Sequence, residues 1–214
     1  MIRSYRVFVG KTMLREYGIF VGALLAVTAA AGIVRKNVSV EWLSGFIDGA
    51  VPFFASIAAP VCSAVSLIGI YNANVPSQPA GYKYFHSLEN SAERFRYAVI
   101  FGNILSLAAL VCLSSAVLVF FGAENMTAVI FFAFFAVGAM NFLGYTRTIW
   151  SRIILMIILG FAAGMLEGLR GEDDPAGMPL FLTVIGIVSA AVYLGGLIFS
   201  ITKAKTAWIK ERDK

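Results

Sequence analysis

Residues with reactive or ligating side chains are few in this sequence, and their spacing suits little chemistry. The single histidine, His86, falls in a polar stretch, so a metal site built on histidines is excluded. Cys62 and Cys112 both fall inside long apolar runs. No metal-ligand spacing or disulfide framework joins them, and they read as small buried apolar residues. Glu172-Asp173-Asp174 offers too few oxygens at loop spacing for calcium and reads as a solvated acidic turn. No nucleophile has a base beside it, and no GxxxxGK[ST] stretch occurs, so the chain does not bind ATP through a P-loop. Intramembrane enzymes and ion-coupled transporters place ionisable groups at bilayer depth. Here every Asp, Glu, Lys and Arg falls in a predicted loop or at the end of a predicted span. The chain is expected to be no enzyme, with neither cofactor nor metal of its own.

The elements that position these residues are set by hydrophobicity. Of the 214 residues 59% are hydrophobic and 14% charged, against roughly 45–50% and about 25% in soluble domains. A spanning helix needs about 20 mostly apolar residues. Six runs qualify, at 17–34, 51–71, 97–121, 127–143, 153–166 and 179–202. A transmembrane barrel would show alternating segments of about ten residues, but the runs 129–137 and 153–159 are continuous. The fold class is therefore all-α, a polytopic membrane protein with six transmembrane helices. The net charge of +5 is a topology signal rather than a nucleic-acid footprint. With the N-terminus cytoplasmic, fourteen of the seventeen basic residues fall in cytoplasmic segments, and only Arg35, Lys36 and Arg170 fall outside. The positive-inside rule describes this sorting. Seven of the twelve acids fall on the outer side. Both termini are placed in the cytoplasm, the protein in the plasma membrane, and anionic headgroups beside the basic segments. The start of the chain, basic then apolar, with Ala29-Ala30-Ala31, has the outline of a signal peptide. Its basic part is long, so it reads as an uncleaved first helix.

The chain reads as one transmembrane domain over 1–214, without internal repeats. Residues 1–16 form an interfacial amphipathic helix with Ile2, Tyr5, Val9 and Met13 on one face and Arg3, Lys11 and Arg15 mostly opposite. Residues 35–50, with Trp42 at headgroup level, read as a short outer loop. Pro52 and Pro60 predict a kinked second span. The longest polar stretch, 72–96, is cytoplasmic; Pro76, Pro79 and Gly81 break the helix, and Ser87 or Asn90 caps a new helix near Ser91, Asn90 with Glu93 forming a partial capping box. Its Tyr82, Tyr84, Phe85 and Leu88 read either as a contact surface or as anchors at the membrane interface. In the third span Asn103, Ser106, Ser114 and Ser115 offer interhelical hydrogen bonds. A tight turn at 122–126 predicts an antiparallel hairpin of spans three and four. Gly160, Gly164 and Gly168 in span five form a small-residue face for helix packing. The basic tail 203–214 extends the sixth helix into the cytoplasm.

The stretch His86-Ser87-Leu88-Glu89-Asn90-Ser91-Ala92-Glu93-Arg94-Phe95, between spans two and three, resembles the membrane permeases of bacterial ATP-binding-cassette (ABC) exporters of the ABC-2 type. Those permeases commonly join these spans by Ser-Leu-Pro-x-Ser-Arg followed by basic and apolar residues. Ser87-Leu88 and Ser91 match, while Glu89 stands at the usual proline and Ala92 at the usual arginine, with Arg94 two positions on. The layout of an interfacial helix, six spans and a long first cytoplasmic loop is also similar; residues 168–179 are short for the embedded segment many members carry there.

The resemblance implies a dimer of permeases, identical or homologous, driven by two separate ATP-binding-cassette subunits that hold ATP and Mg. It implies that Tyr82, Tyr84, Phe85, His86, Ser87, Leu88, Glu89, Ser91, Glu93 and Arg94 belong to an ATPase-coupling loop. Tyr84, Phe85 and Leu88 would be its apolar anchors, and Glu89, Glu93 and Arg94 its polar contacts. The alternatives are a solute-binding membrane subunit of an importer and a non-transporting membrane assembly or scaffold protein.

Overall fold

The computed structural model describes residues 1–37, 41–72, 84, 87–122, 126–144 and 178–212. Among these residues the structure is all-helical, with α1 (Ile2–Val9), α2 (Lys11–Asn37), α3 (Glu41–Asn72), α4 (Ser91–Phe121), α5 (Met126–Leu143) and α6 (Met178–Arg212). Among the described residues three helical segments are long and apolar enough to cross a membrane: Lys11–Asn37, Ser91–Phe121 and Thr183–Ala204. At 1.5 Å per residue, the 31-residue α4 is about 46 Å long and the 35-residue α6 about 52 Å. Both outreach a hydrocarbon core of about 30 Å. The sixth helix runs on through the basic tail as far as Arg212, as expected.

The first helix is shorter than the 1–16 expected of it. Gly10, at φ 85, ends α1 and donates its N–H to the Arg6 carbonyl at 2.9 Å. Glycine takes this left-handed backbone at little cost. Met13 therefore belongs to α2. Ile2 is exposed, and the residues of α1 that bury are Tyr5 and Phe8. Val9 and Met13 do share a side with Tyr5, but that side lies on Gly69 of α3. A second correction concerns residues 35–50. Residues 35–37 and 41–50 are helical, because α2 runs to Asn37 and α3 begins at Glu41. Glu41 sits in the first turn, where a carboxylate complements the helix dipole. Pro52 and Pro60 lie well inside α3. Neither has an N–H to donate, so the carbonyls four residues earlier lose their helical donors.

α4 is the central element. Its buried positions recur every three or four residues from Phe95 through Val99, Asn103, Ser106, Leu110, Leu113 and Val117 to Phe121. That is one helical face buried along the whole length. It packs against α3, α1, α6 and α2. The core divides into two clusters. One gathers Tyr5, Phe8, Leu67, Tyr71, Phe95, Val99 and Met140 at one end of the bundle. The other gathers Ile47, Cys62, Leu110, Leu113, Val117 and Phe121 toward the opposite end. There Arg35 pairs with Asp48, donates from its guanidinium to the Phe120 carbonyl at 3.0 Å, and lies 5.8 Å from the centre of the Phe121 ring. One arginine thus ties the end of α2 to α3 and to the last carbonyls of α4.

The expected hairpin of spans three and four is only partly realised. Gly122, at φ 95, ends α4. α5 leaves its predecessor and packs mainly on α3 and α6. The α5–α6 pairs run in step: Phe131 with Gly186, Phe134 with Tyr193, Gly138 with Val192 and Gly196, and Phe142 with Phe199. The two helices are therefore parallel, and Leu143 and Met178 lie at opposite ends of the bundle. Their closeness needs glycine. A Cβ on Gly138 would stand 2.5 Å from the Val192 carbonyl oxygen, and one on Gly196 would strike the backbone of Gly138. Accordingly, Gly138→Val lowers unfolding stability in mild detergent by about 1–3 kcal/mol through overpacking. Gly18→Ala and Gly22→Ala, whose added methyl groups meet nothing within 4 Å, leave it unchanged or raise it by up to about 1 kcal/mol.

Candidate functional site

The basic residues of the described helices gather at the end of the bundle that holds α1. Arg3, Arg6, Lys11, Arg15, Arg94, Arg96 and Lys203 are all exposed there, while Arg35 and Lys36 lie at the other end beside Glu41 and Asp48. α1 is held against the start of α4 and the last turns of α3. Its Tyr5 ring meets Phe101 edge-on at 5.1 Å, and Phe8 meets Phe95 at 5.5 Å. The Tyr5 hydroxyl donates to the Ser66 carbonyl at 2.8 Å. Burial pushes the Tyr5 hydroxyl up to about 12. α1 and α4 enclose an open groove of about 450 Å³ lined by Met1, Arg3, Ser4, Val7, Asn90, Glu93, Arg94 and Tyr97.

The turn before α4 places several of the expected loop residues. Tyr84 is exposed, and its carbonyl accepts the Ser87 hydroxyl at 2.8 Å. Leu88 is half-buried, and its carbonyl accepts the Ser91 N–H at 3.1 Å. Glu89 is exposed. The helix starts at Ser91, as its sequence predicts. Asn90 adopts φ 54, left-handed backbone that asparagine tolerates, and its side chain makes no cap hydrogen bond. Ser91 is buried, while Glu93 and Arg94 are exposed and line the groove. Tyr82, Phe85 and His86 lie outside the described residues, as do Gly160, Gly164 and Gly168.

Beneath this surface lie two polar junctions. In the first, the hydroxyls of Ser66 of α3 and Ser106 of α4 meet at 2.6 Å and lie 3.1 and 3.0 Å from the Gly102 carbonyl; with one proton each, one serine donates to the other hydroxyl while its partner donates to that carbonyl. Gly102 permits the approach, since a Cβ there would come within 2.7 Å of Ile70 and 2.9 Å of Leu67. The second joins four helices. Tyr71 of α3 donates to Asn141 Oδ1 of α5 at 2.8 Å, and the Ser200 hydroxyl of α6 lies 2.7 Å from the Tyr71 oxygen. With the Tyr71 proton on Asn141, Ser200 is the donor in that contact. Asn141 Nδ2 donates to Asn103 Oδ1 of α4 at 2.8 Å; Asn103 Nδ2 donates back at 3.3 Å and also to the Val99 carbonyl at 2.9 Å. All four side chains are buried. Gly144 lies against the Tyr71 ring, where a Cβ would stand 2.6 Å away.

Of the polar residues marked by sequence in the third span, Asn103 and Ser106 make interhelical bonds. Ser114 is buried with no partner for its hydroxyl among the described residues, and Ser115 is exposed. Sequence reasoning missed Tyr71, Asn141 and Ser200. The available signal was Asn141, a lone amide in an otherwise apolar run. The network is built from neutral amides and hydroxyls, so it orients helices rather than moving charge. No family model, no curated protein and no solved structure matches this chain.

Two outcomes follow. Tyr71→Phe and Asn141→Leu each cost about 0.6–2 kcal/mol in unfolding measurements, and a double-mutant cycle returns a coupling between them; independent costs contradict the shared junction. The Tyr5 hydroxyl has a native pKa above its ordinary value of 10. The stability tied to its neutral form is complete below pH 10 and is lost as pH rises toward 12. Tyr5→Phe is therefore less sensitive than the native chain across pH 10–12 in the same unfolding assay.

Proposed function

We propose that this chain is the membrane permease subunit of an ABC transporter, an exporter of the ABC-2 type. In this reading it crosses the plasma membrane six times with both termini in the cytoplasm. It pairs with a second permease, identical or homologous, and is driven by two separate ATP-binding-cassette subunits, which hydrolyse ATP.

The observation that carries the reading is the unit formed by α1 and the start of α4. The helix that precedes the first span and the residues that resemble the coupling loop pack together at the basic end of the bundle. A push on Tyr84, Leu88, Glu89, Glu93 or Arg94 reaches α4 directly, and the packing of Phe8 on Phe95 carries α1 with it. From α4 the displacement passes through Ser106 to Ser66, and through Asn103 to Asn141 and Tyr71. Rigid helices joined by packed side chains and hydrogen bonds transmit displacement in this way. Gly10 supplies a break between α1 and α2 at which the two can change angle.

The six-span count is supported by the parallel course of α5 and α6. The chain leaves α5 at the basic end and enters α6 at the opposite end, and the apolar run 153–166 lies between them in sequence. The gathering of exposed arginines and lysines around α1 supports a cytoplasmic assignment for that end.

The test is gentle solubilisation of C-terminally tagged chain and identification of what co-purifies. The native chain brings down a P-loop ATPase, and Phe85→Asp with Leu88→Asp loses it while the helical fold survives by circular dichroism. Absence of any ATPase in several mild detergents refutes the permease assignment. An ATPase recovered equally with both versions moves the coupling contact away from this loop.

A further inference from the structure

We infer that the groove between α1 and α4 is a binding site for the phosphate headgroup of an anionic phospholipid. The inference rests on the membrane reading of the bundle and not on the transport reading. Arg3 from α1 and Arg94 from α4 line one groove, and neither guanidinium is in an ion pair among the described residues. Two arginines on separate helices suit a phosphodiester, whose oxygens accept paired N–H donors. The remaining lining is graded. Asn90 adds a polar group beside the arginines, whereas Val7 and Tyr97 give apolar and aromatic surface.

Tyr97 lies three residues beyond Arg94 on α4, close to one helical turn further toward the apolar part of that helix, and is 45% exposed. Tyrosine at the boundary of a span favours the headgroup level. Met1 and Ile2, at the free edge of α1, are 58% and 47% exposed and offer apolar surface where acyl chains begin. A free phosphate would use only the arginines; a phospholipid uses the whole gradient. Glu93 is the one acid on the lining, and it opposes an anion. Its replacement by glutamine should therefore tighten binding rather than weaken it.

The experiment is native mass spectrometry of the C-terminally tagged full chain, titrated with dioleoyl-phosphatidylglycerol or with dioleoyl-phosphatidylcholine. The native chain retains phosphatidylglycerol in preference to phosphatidylcholine. Arg3→Gln with Arg94→Gln weakens retention of phosphatidylglycerol by about tenfold or more, the loss expected for charge-assisted hydrogen bonds. Lys11→Gln with Arg96→Gln removes two exposed charges from the same end but outside the groove, and retains the lipid as the native chain does. Glu93→Gln binds more tightly. Equal losses in the two double variants, or no preference between the lipids, overturn the site in favour of diffuse surface charge. Displacement of phosphatidylglycerol by millimolar inorganic phosphate overturns the lipid assignment and leaves a simple anion site. If Arg3→Gln with Arg94→Gln does not fold, Glu93→Gln decides: no tightening overturns the proposal.

Discussion

A buried amide or hydroxyl in a bilayer has no water to turn to, so helices that carry such groups must meet where the groups satisfy one another. Tyr71, Asn103, Asn141 and Ser200 impose that condition on α3, α4, α5 and α6 together. Successive residues on a helix differ by about 100° in direction. A one-residue rotation of α5 would turn Asn141 out of reach of both Tyr71 and Asn103. Apolar contact has no such directionality. The surrounding Leu, Ile, Val and Phe surfaces accept many rotations, and the polar junction selects one. Glycine makes the selected arrangement reachable. Gly102 lets α3 approach α4, Gly138 and Gly196 bring α5 and α6 into backbone contact, and Gly144 makes room for the Tyr71 ring.

The two ends of the bundle are secured differently. At one end Arg35 combines an ion pair with Asp48, a hydrogen bond to the end of α4 and a contact over an aromatic ring, all polar or charge-based. At the other, α1 is held by edge-on aromatic pairs and one tyrosine hydroxyl. Aromatic pairs of this geometry add about 0.5–1.5 kcal/mol each beyond the area they bury. α1 is thus a short helix fastened by the burial of Tyr5 and Phe8, beside a glycine at which the chain changes direction.

The sequence made the helical class and the helices at 97–121 and 179–202 legible, because long apolar runs leave little choice. It placed the start of α4 near Ser91 correctly, but not the capping, since Asn90 turns left-handed instead of bonding forward. It misread 35–50 as a loop because Glu41 and Asp48 look solvated; both sit on a helix, and Asp48 is there to meet Arg35. It ran the interfacial helix through Gly10, where a positive φ ends it. Asn103 and Ser106 were recognisable as interhelical donors by their chemistry alone. Tyr71, Asn141 and Ser200 were not recognised, because in an apolar helix the hydrophobic periodicity that would orient each face is nearly absent. Which polar group meets which is a fact of packing.

The parallel course of α5 and α6 also bears on how the bundle is made. α3 and α4 are neighbours in sequence and in space, so their Ser66–Ser106 contact becomes available soon after both have left the ribosome. Gly138 cannot meet Gly196 until the chain has been synthesised through Gly196. Chains are made from the N-terminus onward. This close approach of two backbones therefore forms late. Until it does, α5 shows an open glycine face and Asn141 lacks the hydroxyl that Ser200 brings to the Tyr71–Asn141 pair. A chain that does not yet carry α6 presents on α5 the glycine surface that α6 covers in the finished bundle.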